Sequence, residues 1–279
     1  MLLNIILFAA LAAGAQPSVH AQNRTLGRCG TAHVPDSFAK TVSELKSKEN
    51  AIKLRARSSN KTSSALPTID VNVHFHTVSS ENKRDSISDD SINKQFVVLQ
   101  DVYAKYDINI QWDRTIASRT VDDFLATGQW PLTREQIAAK KEWLTKTRKG
   151  GYDNLNVYFY TDMAEEFWGS CNVPRDNVTR SFDDDVFRED GCNINADSLP
   201  GGPFEKVNLG YTTIHEVGHW FGLWHVFEGY SCEGVGDYVD DTPTTNIDTI
   251  GCPVGKDSCP DLPGLDPIHN YMDYSNDSW

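Results

Sequence analysis

His215-Glu216-Val217-Gly218-His219-Trp220-Phe221-Gly222-Leu223-Trp224-His225 is the stretch that decides how this chain is read. On a helix, residues four apart share a face, so His215 and His219 present two imidazoles to one ion. Glu216 follows the first of them and reaches a water held beside the metal. Gly222 permits a backbone turn that a residue with a Cβ resists. The chain can then leave the helix and bring His225 round as a third ligand. Three protein ligands leave one position open, which is the pattern of a catalytic rather than a structural zinc site. Zinc lowers the pKa of water towards neutrality and polarises a carbonyl, and Glu216 is placed to carry the proton. The competing reading is a buried amphipathic helix whose histidines only pack; Trp220, Phe221, Leu223 and Trp224 are expected to be core contacts of that kind.

Working outward, the segment upstream alternates helical and strand patterns. Ile69-Asp70-Val71-Asn72-Val73-His74-Phe75-His76 places Ile, Val, Val and Phe on one face, which predicts a strand. His74 and His76 fall on the other face, read as solvent-facing, with a metal pair as the second reading. A helix is expected over residues 89–106, capped by Ser88 or Asp89, and another over 133–149, capped by Thr133 and stopped by Gly150-Gly151. Strands are expected at 108–112 and 155–161, and an edge strand at 192–199. Strand, helix, strand, helix, strand, edge strand and metal-bearing helix describe a small α/β (α+β) domain.

Residues 22–66 differ in kind. They are rich in Lys, Arg, Ser, Asn and Thr, with one short helical pattern near 37–54 and an exposed linker at 55–64. Such a linker suits a processing protease, so 22–66 reads as a propeptide ahead of a catalytic domain at 67–279. Before it, an apolar run from Leu2 to Ala13 is too short to span a bilayer and leads to the small-residue site Val19-His20-Ala21. Residues 1–21 therefore read as a signal peptide, though without Lys or Arg ahead of the apolar run. No later stretch is apolar enough to anchor the protein, so a secreted, extracellular product that does not associate with membranes is expected.

The chain of 279 residues carries a net charge of -13, which argues against nucleic acid as a partner because phosphate binding needs a basic face. It is expected to act as a monomer. Six cysteines fit an oxidising compartment. Sequons at Asn23, Asn60, Asn177 and Asn276 offer glycosylation sites in a eukaryotic host.

The zinc segment resembles the extended signature of the metzincins. Asn270-Tyr271-Met272-Asp273-Tyr274, about 50 residues downstream, resembles their Met-turn. By that resemblance Met272 underlies the histidines without ligating the metal, and Tyr274 helps hold an oxyanion. Ser198-Leu199-Pro200-Gly201-Gly202, Trp224-His225-Val226-Phe227-Glu228-Gly229, Asp237-Tyr238-Val239-Asp240-Asp241-Thr242-Pro243 and His269 to Tyr274 look like the pappalysin group, in particular its fungal secreted proteases. The resemblance implies a two-lobed zinc endopeptidase: a mixed twisted sheet with helices, a cleft, and an irregular C-terminal part. Its substrates would be exposed segments of extracellular proteins, cut for nutrient use or in attack on host proteins.

Arg28-Cys29-Gly30 resembles the cysteine switch of metzincin zymogens, whose thiolate fills the open zinc position; a plain disulfide or a free thiol is the alternative. Cys171 and Cys192, near the ends of two candidate strands, can pair. Cys232 and Cys259 resemble a family pair bracing the loop after the zinc site. That orphans Cys252, whose partner in similar chains would stand at the position of Trp279; the domain is therefore expected to be short at its C-terminus. Asp240, Asp241 and nearby carbonyls suit calcium, with an unpaired acidic loop as the alternative. A rival to the enzyme is a truncated, inactive zinc-binding module. A zinc hydrolase of non-peptide substrates is the third reading.

Overall fold

The computed structural model describes residues 29–31, 40–42, 44, 47, 68–129 and 133–278. The expected signal peptide, Asn23, Asn60, Trp279 and most of the expected propeptide lie outside these residues.

The predicted first strand is β1 (Ile69–Ser79), three residues longer than the alternating stretch, and its last five residues are buried on both faces. Val71, Val73 and Phe75 enter one core, whereas Ile69 stays exposed. Next come α1 (Asp89–Tyr103), β2 (Ile108–Gln111), β3 (Ser118–Val121), α2 (Arg134–Thr147) and β4 (Leu155–Tyr160). The Ser88 side chain caps α1 by accepting from Ser91 N–H, so Ser88 rather than Asp89 takes the cap. Thr133 and Gln136 cap α2 reciprocally, each side chain bonding the other's backbone N–H. Then follow β5 (Gly169–Cys171), α3 (Asp185–Glu189), β6 (Cys192–Asn195) and α4 (Tyr211–Trp220). Residues 221–278 contain no helix or strand.

The sheet runs β2-β1-β4-β6-β5, with β3 also on β1. The length of β1 lets one edge serve two partners: residues 69–72 pair with β2 and residues 76–79 with β3, both parallel. The pairings of β1 with β4 and β4 with β6 are parallel too, and only β5 on β6 is antiparallel. This is the mixed α/β sheet expected, with one correction. The edge strand predicted at 192–199 is β6, an inner strand, because β5 covers its outer side. Strand structure there stops at Asn195, where a 3-10 turn over Ala196–Ser198 begins.

Helices cover both faces. Ile92, Phe96 and Leu99 of α1 and Ile214 and Val217 of α4 pack with Phe75, Leu155 and Ile194 in the main core. On the other face Trp143 and Leu144 of α2 pack on Val78, Tyr158 and Tyr160. That second layer corrects the reading of His76. The side chain is fully buried, not solvent-facing: α2 roofs the face it lies on. His76 stacks on Tyr158 at 4.3 Å and its ring nitrogens meet Ser118 Oγ at 2.8 Å and Asn156 Oδ1 at 3.1 Å. His74 is half-buried, 3.3 Å from Asn154 Oδ1, and neither histidine joins a metal-ligating cluster.

Candidate metal centre

Helix α4 buries Thr212 to His219, so its polar side chains point into protein rather than water. It ends where the sequence required. Phe221 N–H still reaches Val217 O, then Gly222 adopts φ 92° and its N–H bonds His219 O. A left-handed residue just past a helix reverses the chain, and glycine does so without a Cβ clash. The reversal returns His225 to the helix face.

The three rings converge. His219 Nε2 lies 3.2 Å from His215 Nε2 and 3.2 Å from His225 Nε2. Two of the tautomers follow from their partners. His215 Nδ1 is 2.6 Å from Tyr271 O and His219 Nδ1 is 2.8 Å from Leu223 O. A carbonyl only accepts, so both Nδ1 atoms carry the proton and both Nε2 atoms present bare lone pairs. Two lone pairs at that distance repel unless a cation stands between them. Zinc–nitrogen bonds of about 2.0–2.1 Å in a tetrahedron place the ligand atoms about 3.3 Å apart. The donor set and its spacing therefore fit zinc. Behind His225 the Glu228 carboxylate lies 3.8 Å from Nδ1, which puts negative charge at the ring's back.

Burial and the neighbouring rings keep His215 neutral far below the usual histidine range, and burial followed by His225 pushes His219 down to about 3. Neutral imidazole is the ligating form. Glu216 is also buried, and desolvation pushes its carboxyl up to about 8 against hydrogen bonds from Cys29 and Thr31.

Cys29 sits on the same point. Its Sγ is 3.3 Å from His219 Nε2 and 3.5 Å from Glu216 Oε2. Cys29, His215, His219 and His225 hold their ligand atoms within 4.8 Å of one another, the only such cluster of three or more ligating side chains among the described residues. Asp240 and Asp241 do not form one. The segment around Cys29 is seated on β5: Gly30 N–H donates to Gly169 O at 2.8 Å, and Cys29 and Gly169 form a parallel bridge. Thr31 Oγ1 donates to Cys171 O and accepts from Cys171 N–H.

Met272 lies buried beneath the helix, and Tyr274 places its hydroxyl 3.2 Å from His225 Nε2. A cleft beside Glu216 runs between α4 and residues 269–277, with Trp168 also lining it.

A family model described as Pregnancy-associated plasma protein-A, a peptidase family, matches residues 148–278. An extracellular metalloprotease of Neurospora crassa is 39% identical over 252 residues, covering 90% of this chain and 81% of the relative. The chain belongs to the pappalysin family of metallopeptidases. Extracellular metalloproteases of Sordaria macrospora and Pyricularia oryzae are 42% and 43% identical, each over more than three quarters of this chain and about 70% of the relative. Among solved structures, mature mirolysin of Tannerella forsythia in complex with a cleaved peptide aligns with a TM-score of 0.55 at 22% identity, over 76% of this chain and 86% of that one. That likeness supports the metzincin fold expected from the sequence.

This pappalysin is thus a metalloendopeptidase. Its matched region begins at the end of α2 and takes in the sheet's far side, α4 and the Met272 turn. The structure pairs Cys171 with Cys192, opposite one another on β5 and β6, and Cys232 with Cys259. Cys252 is free, its thiol 3.3 Å from Ser278 O. Asn177 is exposed in a left-handed turn (φ 59°), whereas Asn276 is half-buried at the cleft. Among the described residues no helix is long and apolar enough to cross a membrane. Sequence reasoning missed Thr31 and β5. A three-residue strand has no period to detect, and Thr31 acquires its partners only through the tertiary fold.

Proposed function

We propose that this chain is an extracellular zinc endopeptidase held latent by its own N-terminal segment, with one zinc ion on His215, His219 and His225. The observation that carries the reading is the convergence of imidazole lone pairs beside one buried carboxylate. Zinc, when bound, supplies Lewis acidity that activates water and polarises the scissile carbonyl.

The chain's own groups do the rest. Glu216 accepts the proton of the attacking water and passes it to the leaving amine. Tyr274 O–H donates to the oxygen that gains negative charge as the carbonyl becomes tetrahedral. The protein substrate adds as a strand along the outer edge of β5, where main-chain groups bind any sequence. Residues 29–31 occupy that edge in the full chain, and the Cys29 thiolate serves as the fourth zinc ligand. The propeptide, residues 22–66, must leave for substrate to enter.

Such an enzyme would cut exposed protein segments outside the cell, supporting nutrient assimilation or degradation of host proteins. The test is a casein or gelatin digest with the processed protein. A zinc chelator is expected to stop it, and Glu216→Ala is expected to bind zinc yet lose nearly all turnover. Wild-type turnover in Glu216→Ala would end this mechanism.

A further inference from the structure

Helix α4 starts without a capping side chain of its own. Gly210 precedes it in a left-handed conformation (φ 87°) and has nothing to offer. The segment that enters the helix is held instead by Asp277. Its Oδ2 accepts from Leu209 N–H at 2.8 Å, two residues ahead of the helix's first residue. In the reverse direction Asp277 N–H donates to Lys206 O at 2.9 Å. The residue is buried.

The same segment grips the helix itself at His215. Tyr271 O accepts from His215 Nδ1–H at 2.6 Å, and the Tyr271 ring meets Tyr211 edge-on at 5.1 Å. Tyr274 lies between these two attachments. Residues 271–277 form no helix or strand, so no backbone ladder fixes their register along α4. Val226 N–H on Met272 O and Thr249 N–H on Asp273 Oδ1 hold the near side of the segment, and Asn276 and Asp277 hold the far side, so the Tyr274 hydroxyl is set from both directions.

We propose that Asp277 is a positioning residue, which ties the segment entering the zinc helix to the C-terminal lobe and thereby holds the Tyr274 hydroxyl beside His225. It acts through Tyr274, not by pairing with a charge on the substrate. The inference rests on the proposed role of Tyr274 and adds the group that places it.

The test is steady-state kinetics on the full chain after processing, with zinc content measured, on two peptides that differ only in lysine or leucine after the scissile bond. Asp277→Asn keeps an acceptor oxygen and is expected to retain kcat within about threefold on both peptides. Asp277→Ala is expected to lower kcat about tenfold or more, with KM changed less than about threefold and zinc unchanged. In a Tyr274→Phe background, Asp277→Ala is expected to cost less than about threefold further.

Losses that multiply in the double variant overturn the proposal, because the two residues then act independently. A loss in Asp277→Asn confined to the lysine peptide also overturns it, in favour of substrate charge recognition. Should the alanine variant not fold, the asparagine variant decides alone: a tenfold or greater fall in its kcat on both peptides overturns the proposal. Wild-type kcat in Tyr274→Phe overturns the role of Tyr274 and this proposal together. A Tyr274→Phe loss beside an unaffected Asp277→Ala overturns this proposal only.

Discussion

A Cβ on Gly218 would lie 2.5 Å from the sulfur of Met272. The glycine between the two zinc-helix histidines is there because the Met272 turn presses against the backbone at that point. The contact joins the helix to the irregular lobe directly under the metal site, alongside the bond from Val226 N–H to Met272 O.

Gly218→Ala is therefore expected to destabilise the fold by about 1–3 kcal/mol, the usual cost of overpacking a filled core. Met272→Ala in the same chain opens the space and should recover part of that loss. Denaturant unfolding of the single and double variants reads the effect, and an alanine at 218 that leaves the midpoint unmoved would remove the contact from the account.

The Cys29 thiol stands 3.3 Å from His219 Nε2, where the proposed latency needs a fourth zinc ligand. Cys29→Ala is expected to raise the peptidase activity of the unprocessed chain by about tenfold or more, while leaving the processed enzyme unchanged, because the thiolate is a strong zinc ligand. Assays on a quenched peptide before and after processing measure it. Equal latency in the variant would assign inhibition to the strand contacts with Gly169 and Cys171 alone.

Zinc stoichiometry and affinity test the ligand set. The wild type is expected to hold one zinc per chain. His225→Ala should lose more than about 100-fold in affinity, since losing even an outer partner of a ligand costs about 10–100-fold. Competition with a chromogenic chelator gives both numbers. Wild-type affinity in the variant would place the third ligand elsewhere.

His76 predicts an acid limit on stability. Burial holds its pKa down to about 3, with His74, Lys149 and Arg148 adding to the shift and the Asn156 hydrogen bond opposing it. In the unfolded chain the group titrates near 6.5 (about the ordinary value). The folded state binds fewer protons between those values. Its contribution is whole above about pH 6.5 and is lost as pH falls towards 3, by on the order of 1.4 kcal/mol per pH unit. His76→Gln, which keeps a donor and an acceptor, should flatten the stability profile between pH 6 and about 4, measured by denaturant unfolding. An unchanged slope would show that other groups set the acid limit.

The zinc helix, its end at Gly222 and the strands and helices up to Tyr160 were legible because each carries a period or a cap that is local in sequence. β3 and β5 were not: Ser118-Arg119-Thr120-Val121 carries one aliphatic residue and β5 is three residues long, so neither shows an apolar alternation. The error at His76 has a related cause. Alternation assigns a side chain to a face of the sheet, but whether α2 or water lies over that face depends on residues 70 positions away. The register of residues 271–277 on α4 has no local sign either, because the bonds from Asp277 and Tyr271 join segments more than fifty residues apart.

The chemistry is written locally in the chain: two histidines one helical turn apart, a glutamate beside the first, a glycine to turn the chain and a third histidine beyond it. Helical geometry and the steric freedom of glycine are local, so these consequences need no knowledge of the rest of the fold. Which proton each of His215 and His219 holds, that Cys29 meets them, and what ties down the entry to the helix all followed from packing. Those outcomes depend on carbonyls, a thiol and a carboxylate brought in from distant segments, and hydrogen bonds of that reach exist only once the core has packed.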